Sequence, residues 1–185
     1  MDSGYKRLTE FLVGLGVADV AHTEKSYLAH LVGLYRLMAQ RGCSEEVCRA
    51  GMFHSIYGTE RFQGFKLPLE RRADVRGLIG ERAERLAYIN CAMDRASFDR
   101  AVEQGREPFR VRDRLSGEEH LLSGDDFDDL CRIHLYDWVE QVPRSHEWDY
   151  RRKGYRALAE RLGGVALENY DRVFAAEADR PKGAS

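Results

Sequence analysis

Apolar residues recur every three or four positions along most of this chain, and the stripes they form predict helices almost from end to end. Tyr5, Leu8, Phe11, Leu12 and Leu15 mark a first helix over 3–14, closed by Gly14 and Gly16. A long second helix is predicted over 23–41, with Thr23 as its cap, Glu24 in its first turn and His30 on its apolar side. Ser44 caps a third helix that is apolar on most sides and ends near His54-Ser55, where Gly58 breaks it. Gly51 inside it predicts the close approach of another helix. Gly64 and Pro68 mark 59–69 as a loop, and helices follow over 69–77, 79–93 and 97–104.

Between 105 and 123 the period changes from that of a helix to that of a strand. Phe109-Arg110-Val111-Arg112 alternates, Ser116-Gly117 marks a turn and His120-Leu121-Leu122 returns, which predicts a small hairpin near residues 108–122 packed on the helices. Ser123 then caps a helix that runs to about Gln141 and is stopped by Pro143, with Leu122 placed as a staple. Two last helices are expected over 147–162 and 164–177. The expected fold is therefore all-α: a single helical domain over 1–179 with one small β-hairpin and a mobile tail over 180–185.

Composition narrows the class of function. At 185 residues and 43% hydrophobic, the chain can bury a substantial core as one domain. A net charge of −2 lacks the basic excess of a nucleic-acid binder. No apolar run approaches the roughly 20 residues that span a bilayer, and Met1–Lys6 lacks the apolar core of a signal peptide, so a cytoplasmic protein is expected. Cys43, Cys48, Cys91 and Cys131 form no CxxC pair and read as thiols in a reducing compartment. The alternation of Arg71, Arg72, Arg76, Arg82 and Arg85 with acidic residues reads as a solvated, ion-paired face, with a phosphate patch as the lesser alternative. His120 and His146 are expected to be exposed. No phosphate loop or dinucleotide fingerprint is present, so no nucleotide cofactor is expected.

The candidate chemistry lies where polar residues interrupt apolar stripes: His30, His54 and the pair His134/Asp137, on three different helices. Any one of these histidines alone reads as an ordinary hydrogen-bonded residue. Together, imidazoles and a carboxylate suit a borderline divalent metal such as zinc, iron or manganese, and a buried Asp137 needs a cation or several donors beside it. Residues His134, Asp137 and Gln141 share one side of their helix with Trp138.

The stretch His30-Leu31-Val32-Gly33-Leu34-Tyr35, then Arg49-Ala50-Gly51-Met52-Phe53-His54-Ser55-Ile56-Tyr57-Gly58, and later Ile133-His134-Leu135-Tyr136-Asp137 resembles the HD-domain superfamily over about the first three quarters of the chain. The segment His54-Ser55-Ile56-Tyr57-Gly58-Thr59-Glu60 is also similar to a bacterial HD-like group that transfers no activity. The superfamily is all-helical and mostly comprises metal-dependent phosphohydrolases, with an oxygenase branch using paired irons. The resemblance implies His30 and His54 as metal ligands and Asp137 as the terminal carboxylate, with Asp94 as the other candidate.

The departure is Ser55, which stands where the superfamily carries the aspartate of its His-Asp doublet. A neutral hydroxyl is a poor substitute, so the expectation is one divalent metal (Fe, Mn or Zn) rather than two. His22 or Glu60 could add a ligand. His54, His134 and Glu60 are the candidate catalytic groups, and Tyr57, Ser55, His22 and Trp138 the candidate substrate contacts. The expected function is a metal-dependent hydrolase or oxygen-using enzyme acting on a small molecule. A metal-free pocket with His54 or His134 as general acid or base remains open. The alternative of another class is a degenerate HD-like module that binds a ligand or partner without metal. A small-molecule partner, no nucleic acid, no membrane and compatibility with a homodimer complete the expectation.

Overall fold

Three helices set the frame. In the computed structural model, which describes residues 3–22, 25–145 and 147–177 except for the side chains of Ser3 and His22, α2 (Tyr27–Gln40), α3 (Glu45–Met52) and α7 (Gly124–Ser145) pack against one another. Here α1 is Ser3–Gly14, β1 Ala21–His22 and β2 Lys25–Ser26, ahead of α2 and α3. Next come α4 (Arg72–Ile79), α5 (Glu81–Ala92), α6 (Arg95–Gln104), β3 (Phe109–Arg112) and β4 (Glu119–Leu122). After α7 the chain adds α8 (Arg152–Leu162) and α9 (Gly164–Ala175). The fold is all-α with a small hairpin, and buried side chains from Leu8 to Tyr170 form one core. Among the described residues no helix is long and apolar enough to cross a membrane.

The long second helix starts later than its apolar stripe suggests. Ser26 is its cap, accepting from the Ala29 N–H at 3.2 Å, because Ala21–His22 and Lys25–Ser26 pair as two short antiparallel strands just before it. Thr23, Glu24, the side chain of His22, His146 and residues 178–185 lie outside the described residues. Ser44 caps α3 as its sequence suggests, accepting from the Val47 N–H at 3.3 Å. The helix stops at Met52, and residues 53–57 continue as turns. Gly58 then takes φ of +79°, a conformation only glycine adopts cheaply. A Cβ on Gly51 would run into the Met38 sulfur of α2, so the absent side chain is what lets α2 and α3 close.

Two helix ends differ from the expectation. Pro143 lies inside α7 rather than stopping it. Lacking an N–H, Pro143 cannot bond the carbonyl four residues back, but the loss of that one rung does not end the helix, which runs on to Ser145. Residues 148–151 form turns, so the following helix begins at Arg152, after Arg151 takes φ of +45°.

The hairpin pairs Phe109 with Leu122 and Arg112 with Glu119, and the Phe109 ring stacks on Phe127 of α7 at 4.1 Å. Asp113 holds its turn, accepting from the Leu115 and Ser116 N–H groups and from the Tyr88 hydroxyl. His120 is half-buried rather than exposed, because Nε2 sits 3.2 Å from Asp113. The arginines of α4 and α5 pair mainly across elements: Arg72 grips the buried Glu84 with two bonds, and Arg82 reaches Glu46, Asp126 and Asp129. Among the described residues the four cysteines are free thiols, with Cys48, Cys91 and Cys131 buried.

Replacing Gly51 with valine should cost about 1–3 kcal/mol by overpacking the α2–α3 contact, read as a lower urea midpoint. Burial would raise the Asp126 carboxyl, but Arg85 and Arg82 override it and hold it below its ordinary 3.8. A depressed carboxylate contributes stability above its unfolded value and loses it as pH falls through the folded one. Asp126→Asn should therefore flatten the loss of stability below about pH 4, measured by urea unfolding across that range.

Candidate metal centre and its cavity

His30 projects from α2, His54 from the turn after α3 and Asp137 from α7, and all three side chains meet in the core. One ligand atom from each lies within 4.8 Å of the others. Asp137 Oδ1 is 3.1 Å from His30 Nε2 and 3.2 Å from His54 Nε2. Metal–ligand bonds near 2.0–2.2 Å put neighbouring donors roughly 3.0–3.5 Å apart, so this spacing is that of ligands around one ion.

The outward nitrogens decide what the inward ones can be. His54 Nδ1 lies 2.9 Å from the Gly51 carbonyl, an acceptor only, so Nδ1 carries the hydrogen. His30 Nδ1 lies 2.7 Å from Glu140 Oε2 and likewise donates. In the neutral rings both Nε2 atoms then present lone pairs towards an Asp137 carboxylate. Three electron pairs cannot face one another in the core without positive charge between them. A proton or a bound cation in that space supplies the charge. Fixing each ligand histidine through its other nitrogen is the second-shell arrangement that metal sites use.

Charges follow this geometry. Burial would raise Asp137, yet His54 and His30 hold its carboxyl well below the ordinary carboxylate range. Burial lowers His30, but its bonds to Asp137 and Glu140 prevail and raise it. Burial likewise opposes ionisation of Glu140, which His30 and Lys25 bring down to about 2. Lys25 pairs with Glu140 Oε1, and Arg144 lies 2.9 Å from Oε2. Gln141 donates to both the carboxylate and the carbonyl of Asp137.

The turn that aims His54 is itself tied down. Its carbonyl accepts from Asn90 Nδ2 at 2.8 Å and from the Cys91 thiol at 3.1 Å, both on α5. Ser55 is buried beside it, 2.9 Å from the Tyr27 hydroxyl.

A cavity of about 490 Å³ opens onto His54, Ser55 and Asp137. Trp138, Tyr150 and Tyr155 make one wall, with Trp138 and Tyr155 stacked at 5.2 Å and 10°. Arg61, Arg95 and Arg144 also line it.

The other candidates fall elsewhere. His134 is wholly buried behind this wall, with Arg95 Nη1 2.7 Å and Arg151 Nη1 2.8 Å from Nε2. Burial and those two cations hold it well below the ordinary histidine value, so it is neutral. Glu60 is exposed and accepts from the Arg95 N–H at 3.0 Å. The Tyr57 hydroxyl donates to Glu84 at 3.0 Å, outside the lining of the cavity. Asp94 caps α6 by accepting from the Ser97 N–H at 2.7 Å, which leaves Asp137 as the carboxylate of the cluster. Sequence reasoning missed Glu140, which reads as a solvated helix end. Its signal was its place three residues after Asp137, on the same helical face. Lys25, Arg95 and Arg151 gave no comparable signal, since only the folded chain brings them near.

Residues 11–95 match the family model of a domain of unknown function (DUF6817). That stretch contains His30, His54, Ser55 and Arg95 but not Asp137. No curated protein and no solved structure matches the chain.

Replacing Asn90 with leucine strips the His54 carbonyl of its stronger donor while keeping the side chain's bulk. The expected cost is about 1–3 kcal/mol, measured by urea unfolding followed by circular dichroism.

Proposed function

We propose that the protein is a metal-dependent enzyme acting on a small molecule, with His30, His54 and Asp137 holding one divalent ion at the edge of the cavity. One observation carries the reading: two imidazole Nε2 atoms and a carboxylate oxygen converge at ligand spacing, while both Nδ1–H groups are already committed to acceptors. Three protein ligands leave coordination positions open, as catalytic rather than closed structural sites do. When bound, such an ion polarises an oxygen or lowers the pKa of water, and with iron it supports oxygen chemistry. The chain's own groups do the rest. Glu140 orients His30, Gly51 orients His54, Gln141 holds Asp137, and the aromatic wall limits water.

This reading agrees with the HD-domain resemblance of the same residues and departs from its two-metal form. Ser55 offers a hydroxyl already bonded to Tyr27, not a bridging carboxylate. A cavity reaching His54 and Asp137 favours an enzyme over a degenerate binding module, whose histidine would sit in closed core. His134, neutral and pressed between two guanidiniums, suits a positioning role better than proton transfer.

Protein purified without chelator should carry about one metal per chain by elemental analysis, or take up Fe(II), Mn(II) or Zn(II) to that level. His54→Ala and Asp137→Ala should abolish uptake, and Glu140→Gln should weaken it about 10–100-fold. Oxygen consumption restored only by Fe(II) would indicate the oxygen-using branch, and turnover with Zn(II) or Mn(II) the hydrolytic one. A wild-type protein that takes up none of the three ions, or a His54→Ala protein that binds them as well as wild type, would overturn the proposal.

A further inference from the structure

The cations lining the cavity are not equally occupied. Arg61 pairs with Glu147 and lies over the Tyr150 ring at 4.2 Å. Arg144 pairs with Glu140. Arg95 makes no ion pair among the described residues, and its guanidinium instead lies 2.7 Å from Nε2 of His134. His134 is a poor neutral stand-in for an anion, because Arg151 also lies against it. Arg151 has Asp99 as its carboxylate partner, so this group of residues leaves the charge on Arg95 uncompensated. A half-buried guanidinium facing a cavity without a counterion is a costly arrangement that an incoming anion relieves. Beside it, Tyr155 stacks on both His134 and Trp138, which continues a flat apolar surface from Arg95 along the cavity.

We propose that Arg95 is the anion-binding residue of this cavity, held in place by the His134–Arg151–Asp99 chain, and that the molecule taken there carries a carboxylate or phosphate group on a flat apolar body lying along the Trp138–Tyr150–Tyr155 wall. The inference rests on the cavity being the substrate site, but the anion contact itself needs no metal. It also gives His134 a role, as the positioning residue that keeps Arg95 pointed into the cavity while remaining uncharged.

The test uses the full chain stripped of metal with EDTA, so that carboxylate or phosphate cannot bind through an ion. Benzoate, phenyl phosphate and neutral benzamide are titrated, with tryptophan fluorescence and calorimetry as readouts. At least one anion should bind about tenfold or more tightly than benzamide, and Arg95→Gln should reduce it to the benzamide level. Whichever of benzoate and phenyl phosphate binds better identifies the anionic group. His134→Phe, which keeps the ring but loses the nitrogen contacts, should weaken the same anion without affecting benzamide. Equal binding of anions and benzamide, no detectable binding of either anion, or undiminished anion binding by a folded Arg95→Gln protein would each overturn the proposal. If Arg95→Gln fails to fold, the wild-type comparison of the better-binding anion with benzamide decides. A negative result in stripped protein leaves the metal centre untouched, and a failed metal centre leaves the anion preference intact.

Discussion

The Asp137 carboxylate, brought into the core where α2, α3 and α7 meet, has to be neutralised, and much of the surrounding structure is arranged around that need. Removing a carboxylate from water costs several kcal/mol unless positive charge or donors replace the solvent. His30 from α2, His54 from the turn after α3 and Gln141 from α7 itself converge on it. Each of those groups is anchored in turn, by Glu140, by the Gly51 carbonyl and by the helix. The packing of α2, α3 and α7 thus carries an electrostatic condition as well as an apolar one. The small residue at Gly51 lets the helices approach closely enough to meet it.

Charge is then distributed outward in alternating layers. Asp137 faces two imidazoles, His30 faces Glu140, and Glu140 faces Lys25 and Arg144. The second arginine group, Arg95 and Arg151 about His134, adjoins the aromatic wall, with Arg95 lining the cavity, and is balanced only in part, by Asp99. The cavity thus has the His54–Asp137 part of the cluster and the Arg95 guanidinium on the same lining. The aromatic wall between them supplies area without competing charge.

Much of the frame was legible from local patterns. The 3.6-residue spacing placed the helices, Ser44 announced the start of α3, and alternation at Phe109–Arg112 announced the hairpin, because each of these depends on neighbours within a few residues. Boundaries failed where a distant or weak local influence prevailed. The start of α2 moved to Ser26 because two short strands pair ahead of it. The end of α7 passed Pro143, whose missing N–H removes one rung of the ladder without ending it. His30, His54 and Asp137 stood out as polar interruptions in apolar stripes, a signal that survives in one dimension.

What the sequence alone determined is the set of helices and the presence of polar groups that their stripes carry inward. It could not choose between Asp94 and Asp137, since both sit on helical segments with acceptable spacing. Tertiary structure made that choice by spending Asp94 on the N-cap of α6 and turning Asp137 to the histidines. Only the fold exposed Glu140, Lys25 and Arg95 as partners, because they are distant in sequence from the groups they serve: Lys25 meets Glu140 from 115 residues away and Arg95 meets His134 from 39. The physical reason is the range of each interaction. Helix propensity and capping act within a turn or two, whereas the neutralisation of a buried charge is decided by whichever side chains packing brings within hydrogen-bond distance.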